Sequence, residues 1–239
     1  MSLVNARVLI VGGTSGIGLA VAHAVAARGA TPIVASRRQS SVDAALDKLP
    51  TGAVGAAVDV SDPGSIGSLI RGNEPIDHLV YTAGEPLELI PLAELTSDVA
   101  RRFFQTRYLG ALAVVRSAAP LLHAGASITL TSGTAAERPG VGWALGASIC
   151  GAMNALTKAL AVELAPIRVN AVAPGVVRSP LWSGMPEADR ESMYRDLART
   201  LPLGRVGEVE DVALAYVYAM EQAHGTGTVV TVDGGTVLA

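Results

Sequence analysis

The chain has 239 residues, of which 50% are hydrophobic, 16% charged and 4% aromatic. This apolar content with so little charge excludes a disordered chain, and a single α/β domain of this length is ordinary. The net charge of −3 provides no basic surface for nucleic acid or an anionic membrane, and the single cysteine, Cys150, excludes an internal disulfide and a cysteine-based zinc site.

The start of the chain and the histidines narrow the class further. A strand-like run begins at Arg7 and leaves no room for a signal peptide. No uninterrupted apolar run reaches roughly 18 residues, so we expect no transmembrane helix and a cytoplasmic protein. We predict no metal site, because the four histidines are far apart in sequence and fit surface or capping positions: His23, His78, His123 and His224.

In chain order, short β-branched runs alternate with longer alanine- and leucine-rich stretches. The short runs predict strands buried on both faces, at residues 7–11, 31–34, 54–58, 76–81, 127–131, 168–172 and 228–232. The longer stretches predict helices, among them residues 17–28, 98–122, 147–164 and 209–222. The alternation predicts one α/β domain over residues 1–239, a doubly wound parallel sheet with helices on both faces.

The least regular stretch of the chain is residues 174–186, which hold three prolines, two glycines and Trp182. It predicts an excursion beyond a strand end, where open sheets bind ligands. We therefore assign residues 176–204 to a loop that binds a small-molecule substrate.

A glycine-rich turn lies between the first predicted strand and the first predicted helix. Gly12 allows a tight exit from the strand, Gly16 lets the backbone approach a pyrophosphate, and Gly18 permits close helix–sheet packing. The helix N-terminus then offers unpaired N–H groups to the phosphates. The strand–turn–helix context indicates nucleotide binding, and we assign these residues to the cofactor site: Gly12, Thr14, Ser15, Gly16, Ile17 and Gly18.

This turn resembles the TGxxxGIG signature of the short-chain dehydrogenase/reductase (SDR) family, with Val11 where that family usually has threonine. Further SDR-like motifs follow: Thr82-Ala83-Gly84, Ile167-Arg168-Val169-Asn170, Pro174-Gly175 and Asp233-Gly234-Gly235. The resemblance implies a Rossmann-like fold and a bound dinucleotide. By position it implies further cofactor-binding residues, which are Asp59, Val60, Ala83, Gly84, Pro174, Gly175, Val177 and Ser179.

The end of the second predicted strand selects the dinucleotide. An acidic residue there would bind the ribose 2′-hydroxyl of NAD, but the chain has Ser36, Arg37 and Arg38. A guanidinium pairs with phosphate through charge-assisted hydrogen bonds, so we predict NADP(H) as the cofactor. One feature opposes this prediction, because Ser15 stands where NADP-preferring relatives often have a second basic residue.

The catalytic residues that the resemblance implies are largely replaced. Ser132 matches the family's serine, but aligning the following helix places Gly146 at its tyrosine and Cys150 at its lysine. No tyrosine occurs between residues 108 and 194, and Arg107 stands at the family's asparagine position. We therefore assign Ser132 and Arg107 as the catalytic residues and interpret Lys158 as a solvent-facing helix residue.

Replacing a tyrosine and a lysine by smaller residues predicts a cavity beside the nicotinamide. Its expected borders are Ser132, Gly146, Cys150 and residues 135–143. We expect polar or aromatic side chains around it: Arg107, Glu137, Arg138 and Trp143.

Three functions compete at this point. The first is an atypical NADP(H)-dependent oxidoreductase that reduces a C=O or C=N substrate with a nonstandard proton donor. The second is a non-catalytic NADP(H)-binding sensor or structural subunit. The third, a lyase like the family's halohydrin dehalogenases, is disfavoured because those members lost the glycine motif that this chain keeps.

The resemblance also predicts a homo-oligomer, most simply a tetramer. The predicted helices at residues 98–122 and 147–164 correspond to the family's interface helices and are rich in alanine and leucine. A C-terminal strand that ends in the apolar residues 237–239 would add a second contact.

Overall fold

The structure, a computed structural model, describes residues 2–239, and its centre is a seven-stranded parallel sheet. The strands in chain order are β1 (Arg7–Val11), β2 (Thr31–Ser36), β3 (Val54–Ala57), β4 (His78–Tyr81), β5 (Ser127–Thr131), β6 (Arg168–Pro174), β7 (Val177–Arg178), β8 (Gly207–Glu208) and β9 (Val229–Val232). The central sheet has the order β3-β2-β1-β4-β5-β6-β9, and β7 pairs separately with β8. The order reverses between β1 and β4, which opens the crevice where such sheets bind ligands. The predicted fold class is confirmed.

Helices cover both faces of the sheet. They are α1 (Gly16–Ala26), α2 (Gln39–Leu46), α3 (Pro63–Gly72), α4 (Ser97–Phe104), α5 (Ala111–Ala118), α6 (Ala144–Glu163), α7 (Glu187–Thr200) and α8 (Val209–Glu221). Side chains alternate along β1, so that Leu9 and Val11 join the core beneath α3, α5 and α6, while Val8 and Ile10 join the core beneath α1 and α8. Burial on both faces explains why the strands are almost continuously apolar.

Helix α6 is the one described helix whose length and composition would also allow a membrane span, with 20 residues and a mean hydropathy of 1.3. Its inner side packs on the sheet through Ile149, Met153 and Leu160, all of which are buried in the core. A core helix of this kind reaches the same apolar composition without a membrane.

Several predicted boundaries are wrong. The helix expected at residues 98–122 is interrupted by a π-helical turn, Gln105–Gly110, between α4 and α5. The segment 176–204 is no continuous loop, because it contains β7 and all of α7. The C-terminal strand ends at Val232, and residues 233–238 form turns held by the Asp233 carboxylate. His78, expected at the surface, is buried in β4, where its Nδ1 lies 2.9 Å from Ser127 Oγ.

Candidate functional site

Two glycines of the glycine-rich turn, Gly12 and Gly18, leave no room for a side chain. Gly12 has φ +89°, and a Cβ there would lie 2.5 Å from the backbone nitrogen of Ala83, in the loop that leaves β4. A Cβ at Gly18 would overlap the Gly12 carbonyl oxygen. Ser15 precedes α1 without making a side-chain capping bond, which leaves the first N–H groups of the helix available to an anion. The turn therefore fits a dinucleotide pyrophosphate.

The expected selector residues lie at the carboxyl ends of β2 and β3. Ser36 closes β2, and the following Arg37 and Arg38 are exposed. Asp59 follows β3, and its pKa is lowered by hydrogen bonds from the Ser61 hydroxyl and backbone N–H and by the Arg37 guanidinium. The structure thus brings a cationic side chain, a hydroxyl and a carboxylate to one edge of the sheet.

The third part of the crevice comes from the excursion after β6. A Cβ at Gly16 would lie 3.4 Å from Pro180 Cδ and 3.8 Å from Ser179 Cβ, so the glycine turn faces this segment directly. Val177 is buried in β7 and fixes the start of the excursion. The remaining predicted residues of this side, Pro174 and Gly175, lie where β6 ends and pack near Asp233.

Ser132 follows β5 and faces α6. Its Oγ donates a hydrogen bond to Asn154 Oδ1 at 2.6 Å and approaches the Cys150 carbonyl oxygen at 3.1 Å. Burial raises the pKa of the Cys150 thiol to about 11, so this side chain is neutral near pH 7. The Ser132 hydroxyl is therefore oriented by two neutral groups, the side-chain amide of Asn154 and the backbone carbonyl of Cys150. The sequence analysis did not assign Asn154 to the site.

Two side chains lie in the region beside Gly146 where a cavity is expected. The ring of Trp143 covers Gly146, with Cε3 3.5 Å from where a Cβ would lie. Cys150 Sγ lies 3.0 Å from a Cβ position at Gly133 and fills the adjoining space. Of the expected bordering side chains, Glu137 and Arg138 are exposed, and Arg138 donates a hydrogen bond to the Thr236 carbonyl oxygen.

Arg107 projects from the π-helical turn towards the loop after β4. Its guanidinium donates to the backbone oxygen of Glu85, lies over the Phe103 ring at 4.1 Å, and comes within 3.2 Å of a Cβ position at Gly84. Burial lowers the pKa of Arg107, whereas the charge of Glu85 raises it. An arginine remains charged under such shifts, so a guanidinium is fixed beside the crevice.

Glu85 is a functional candidate that sequence reasoning missed. Its Oε1 accepts a hydrogen bond from Thr106 Oγ1 at 2.5 Å, and its Oε2 lies 3.4 Å from Arg107 Nη1. The only sequence signal was its position directly after Thr82-Ala83-Gly84. Lys158, by contrast, is exposed on α6, as expected. Among residues 2–239, no group of three or more histidine, cysteine, aspartate or glutamate side chains could hold a metal ion.

The comparisons with known proteins agree with this geometry. A family model described as an SDR-like Rossmann domain matches residues 1–239. The chain is 37% identical over 246 residues to the short-chain dehydrogenase/reductase ATR9 of Stachybotrys chlorohalonatus, covering 97% of this chain and 96% of that protein.

Two solved structures add information on the cofactor. A small-chain dehydrogenase in complex with NADPH is 34% identical, with a TM-score of 0.85, covering 98% of this chain and 100% of that chain. An NADPH-bound short chain oxidoreductase from Pseudomonas aeruginosa PAO1, described as containing an atypical catalytic center, is 28% identical, with a TM-score of 0.89. That match covers 97% of this chain and 96% of the other. Both of these relatives therefore bind NADPH, which is the kind of dinucleotide that the sequence predicts for this chain.

Proposed function

The chain belongs to the short-chain dehydrogenase/reductase family, and from this premise we propose that it is an NADP(H)-dependent oxidoreductase that reduces a C=O or C=N bond of a small molecule. One observation carries the proposal. The glycine turn, in which Gly12 and Gly18 exclude any side chain, faces Ser179 across the crevice and lies on the same sheet edge as Ser132. Such a crevice holds a dinucleotide at one end and leaves the other end open to a substrate.

NADP(H) is favoured over NAD(H) by the charges after β2. Arg37 and Arg38 are exposed, and no acidic side chain follows Ser36 to repel a 2′-phosphate. A phosphate placed there would accept charge-assisted hydrogen bonds from a guanidinium and a further bond from the Ser36 hydroxyl. The two NADPH-bound structural relatives support the same choice.

We propose that the catalytic centre differs from the family's Tyr-xxx-Lys arrangement. Gly146 and Cys150 occupy the aligned positions on α6 and carry neither the phenol nor the ammonium group. Two buried tyrosines of the core are engaged elsewhere: Tyr81 donates to the Thr106 carbonyl oxygen, and the Tyr216 hydroxyl lies 2.6 Å from Thr131 Oγ1. The structural relative described as containing an atypical catalytic center supports the proposal that the catalytic centre can vary within this fold.

The remaining polar groups define what the site can do. The Ser132 hydroxyl is held by Asn154 and can orient a substrate heteroatom, while the guanidinium of Arg107 fixes the loop after β4 by donating to the Glu85 carbonyl oxygen. NADPH, when bound, supplies a hydride to the electrophilic carbon as the π electrons of the double bond move to the heteroatom. Because the aligned positions on α6 carry no tyrosine or lysine to exchange a proton, substrates that are already activated are favoured, and a protonated imine or iminium ion meets this condition best.

NADPH oxidation against a panel of cyclic imines, activated ketones and secondary alcohols tests the proposal. We expect turnover in the order imines, then activated ketones, with alcohol oxidation by NADP absent or feeble. Ser132→Ala should lower turnover without changing NADPH affinity, and Ser148→Ala, which changes an exposed serine on α6, is the matched control. Tight NADPH binding without turnover of any substrate would instead support the alternative, a sensor or structural subunit.

We also propose a single-domain, cytoplasmic homotetramer. Exposed apolar side chains on the helices expected to form the interface support association, since Leu109 is 48% exposed, Leu112 36% and Val162 81%. Large apolar side chains left in water on neighbouring helices are typical of subunit interfaces.

A further inference from the structure

The loop after β4 places one carboxylate, that of Glu85, where the substrate-side segments converge. Two residues later, the Leu87 N–H donates a hydrogen bond to the Leu181 carbonyl oxygen in the excursion after β6, at 2.7 Å. The Ile90 N–H donates to the Gly142 carbonyl oxygen beside Trp143, at 3.2 Å. The loop is thus tied to both walls of the crevice, and in the chain Glu85 comes between these ties and Ala83, which contacts the cofactor turn at Gly12.

A chain of hydrogen bonds fixes the Glu85 carboxylate. The buried Tyr81 hydroxyl donates to the Thr106 carbonyl oxygen at 2.5 Å, and the Thr106 hydroxyl donates to Glu85 Oε1 at 2.5 Å. A Cβ at Gly110 would lie 2.6 Å from the same Tyr81 hydroxyl, so the π-helical turn packs tightly on this tyrosine. The carboxylate is therefore positioned by a rigid strand and helix turn, although it belongs to a loop.

The neighbouring guanidinium forms an ion pair with the Glu85 carboxylate, but the contact is long. The Arg107 side chain is 13% exposed and the Glu85 side chain 41% exposed, so the carboxylate is the more accessible of the two groups. The distance of 3.4 Å from Arg107 Nη1 to Oε2 exceeds the roughly 2.7–2.9 Å of a strong charge-assisted hydrogen bond, so Oε2 retains capacity to accept. The other polar side chains assigned to the site, those of Ser132, Asn154 and Cys150, carry no charge near pH 7.

We propose that Glu85 binds the cationic centre of the substrate, an iminium or protonated imine nitrogen, and so selects charged C=N compounds over neutral carbonyl compounds. This inference deepens the proposed reductase function and rests on it. Oε2 pairs with the cation, while Thr106 holds Oε1 and Arg107 holds the backbone of the same residue. A carboxylate held in a fixed position at a protein surface, where the effective dielectric constant is below that of bulk water, attracts an organic cation more strongly than the same pair would attract each other in solution.

The test is the binding of a cation that cannot be reduced, measured by calorimetry on the NADPH complex. The probe is N,N-dimethyltetrahydroisoquinolinium, and the control ligand is dimethyltetralin, its neutral carbon isostere. Glu85→Gln keeps the shape and the bond from Thr106 but removes the charge, and we expect it to weaken binding of the cation about 10- to 100-fold. The neutral ligand should bind equally to both proteins.

Two further variants keep the test independent of folding defects. Glu88→Gln removes an exposed carboxylate from the same loop and should leave cation binding unchanged. Thr106→Val removes the hydrogen bond to Glu85 Oε1 and should weaken binding of the cation by a smaller factor than Glu85→Gln does. Unchanged NADPH affinity and melting temperature show that each variant is intact.

The outcomes separate this inference from the proposed function. Three results would overturn the role of Glu85. They are equal binding of the cation by the unmodified protein and by Glu85→Gln, no binding of the cation by the unmodified protein, and an equal loss of affinity for the cation and the neutral ligand in Glu85→Gln. If the cation is bound through Glu85 but no imine is reduced, the inference stands as a binding site and the reductase function fails. If imines are reduced and Glu85→Gln binds the cation normally, the reductase function stands without it.

Discussion

Substituting Gly12 by alanine tests whether the turn is built for a close backbone approach. The new Cβ would lie 2.5 Å from Ala83 N and 2.7 Å from both Ala83 Cα and the Thr82 carbonyl carbon, so the two loops must separate. Gly52→Ala is the matched control, because Gly52 has φ +102° but no atom within 4 Å of its Cβ position. Both variants carry the strain of a positive φ, and only Gly12→Ala carries the clash.

The magnitudes follow from these two terms. Left-handed strain costs an alanine about 1–2 kcal/mol, and the reduced entropy of the unfolded chain returns about 0.4–1 kcal/mol. Overpacking adds about 1–3 kcal/mol at Gly12 alone, which corresponds to a melting temperature roughly 2–12 °C below that of Gly52→Ala. NADPH affinity should fall at least about tenfold in Gly12→Ala and stay unchanged in Gly52→Ala, since only Gly12 shapes the pyrophosphate site.

Calorimetric unfolding and fluorescence titration with NADPH measure the two effects. Equal melting temperatures and equal NADPH affinities for the two variants would refute the reasoning, because the clash would then carry no cost and the turn would not hold the cofactor.

Further predictions concern the cofactor, the serine and the assembly. Arg37→Ala should weaken NADPH binding by about 1.5–3 kcal/mol and leave the affinity for NADH unchanged, as measured by fluorescence titration. An equal effect on the binding of both cofactors would contradict the 2′-phosphate contact. Asn154→Leu removes the 2.6 Å bond to Ser132 and should lower the unfolding free energy by about 1 kcal/mol and slow NADPH oxidation, whereas Ala44→Leu, at an exposed position on α2, should do neither. Light scattering should give a mass near four times 24.3 kDa, and Val162→Asp should reduce it; a monomer at micromolar concentration would exclude the tetramer.

The strands were the most predictable part of the fold. Residues 7–11 and 127–131 form β1 and β5 with the predicted bounds, because a strand buried on both faces must be apolar at every position. Helices α2 and α3 were not predicted, since α2 buries only Val42 and Ala45 and α3 contains three glycines. The start of α3 did carry a signal, because Asp62 accepts from the Gly64 and Ser65 N–H groups and Pro63 follows it.

The cofactor end of the site was readable from the sequence, and the substrate end was not. The glycine turn and the arginines after β2 are local patterns whose chemistry depends on adjacent residues. Glu85 depends on partners 21 and 22 residues away, Thr106 and Arg107, which meet it only because a π-helical turn packs on Tyr81. No periodicity in the sequence announces such a turn, since it arises from a tertiary contact. Trp143, which the sequence places at the border of the site, lies beside Gly146 as expected, with Cε3 3.5 Å from a Cβ position there.

Isotope transfer tests the central claim most directly. The protein is incubated with a cyclic iminium salt and NADPH that carries deuterium at its transferable position, and the amine product is analysed by mass spectrometry. With the unmodified protein we expect one deuterium in each product molecule, and with Ser132→Ala we expect much slower labelling. Tight NADPH binding with no deuterium transferred to any iminium, imine or ketone would contradict the central claim.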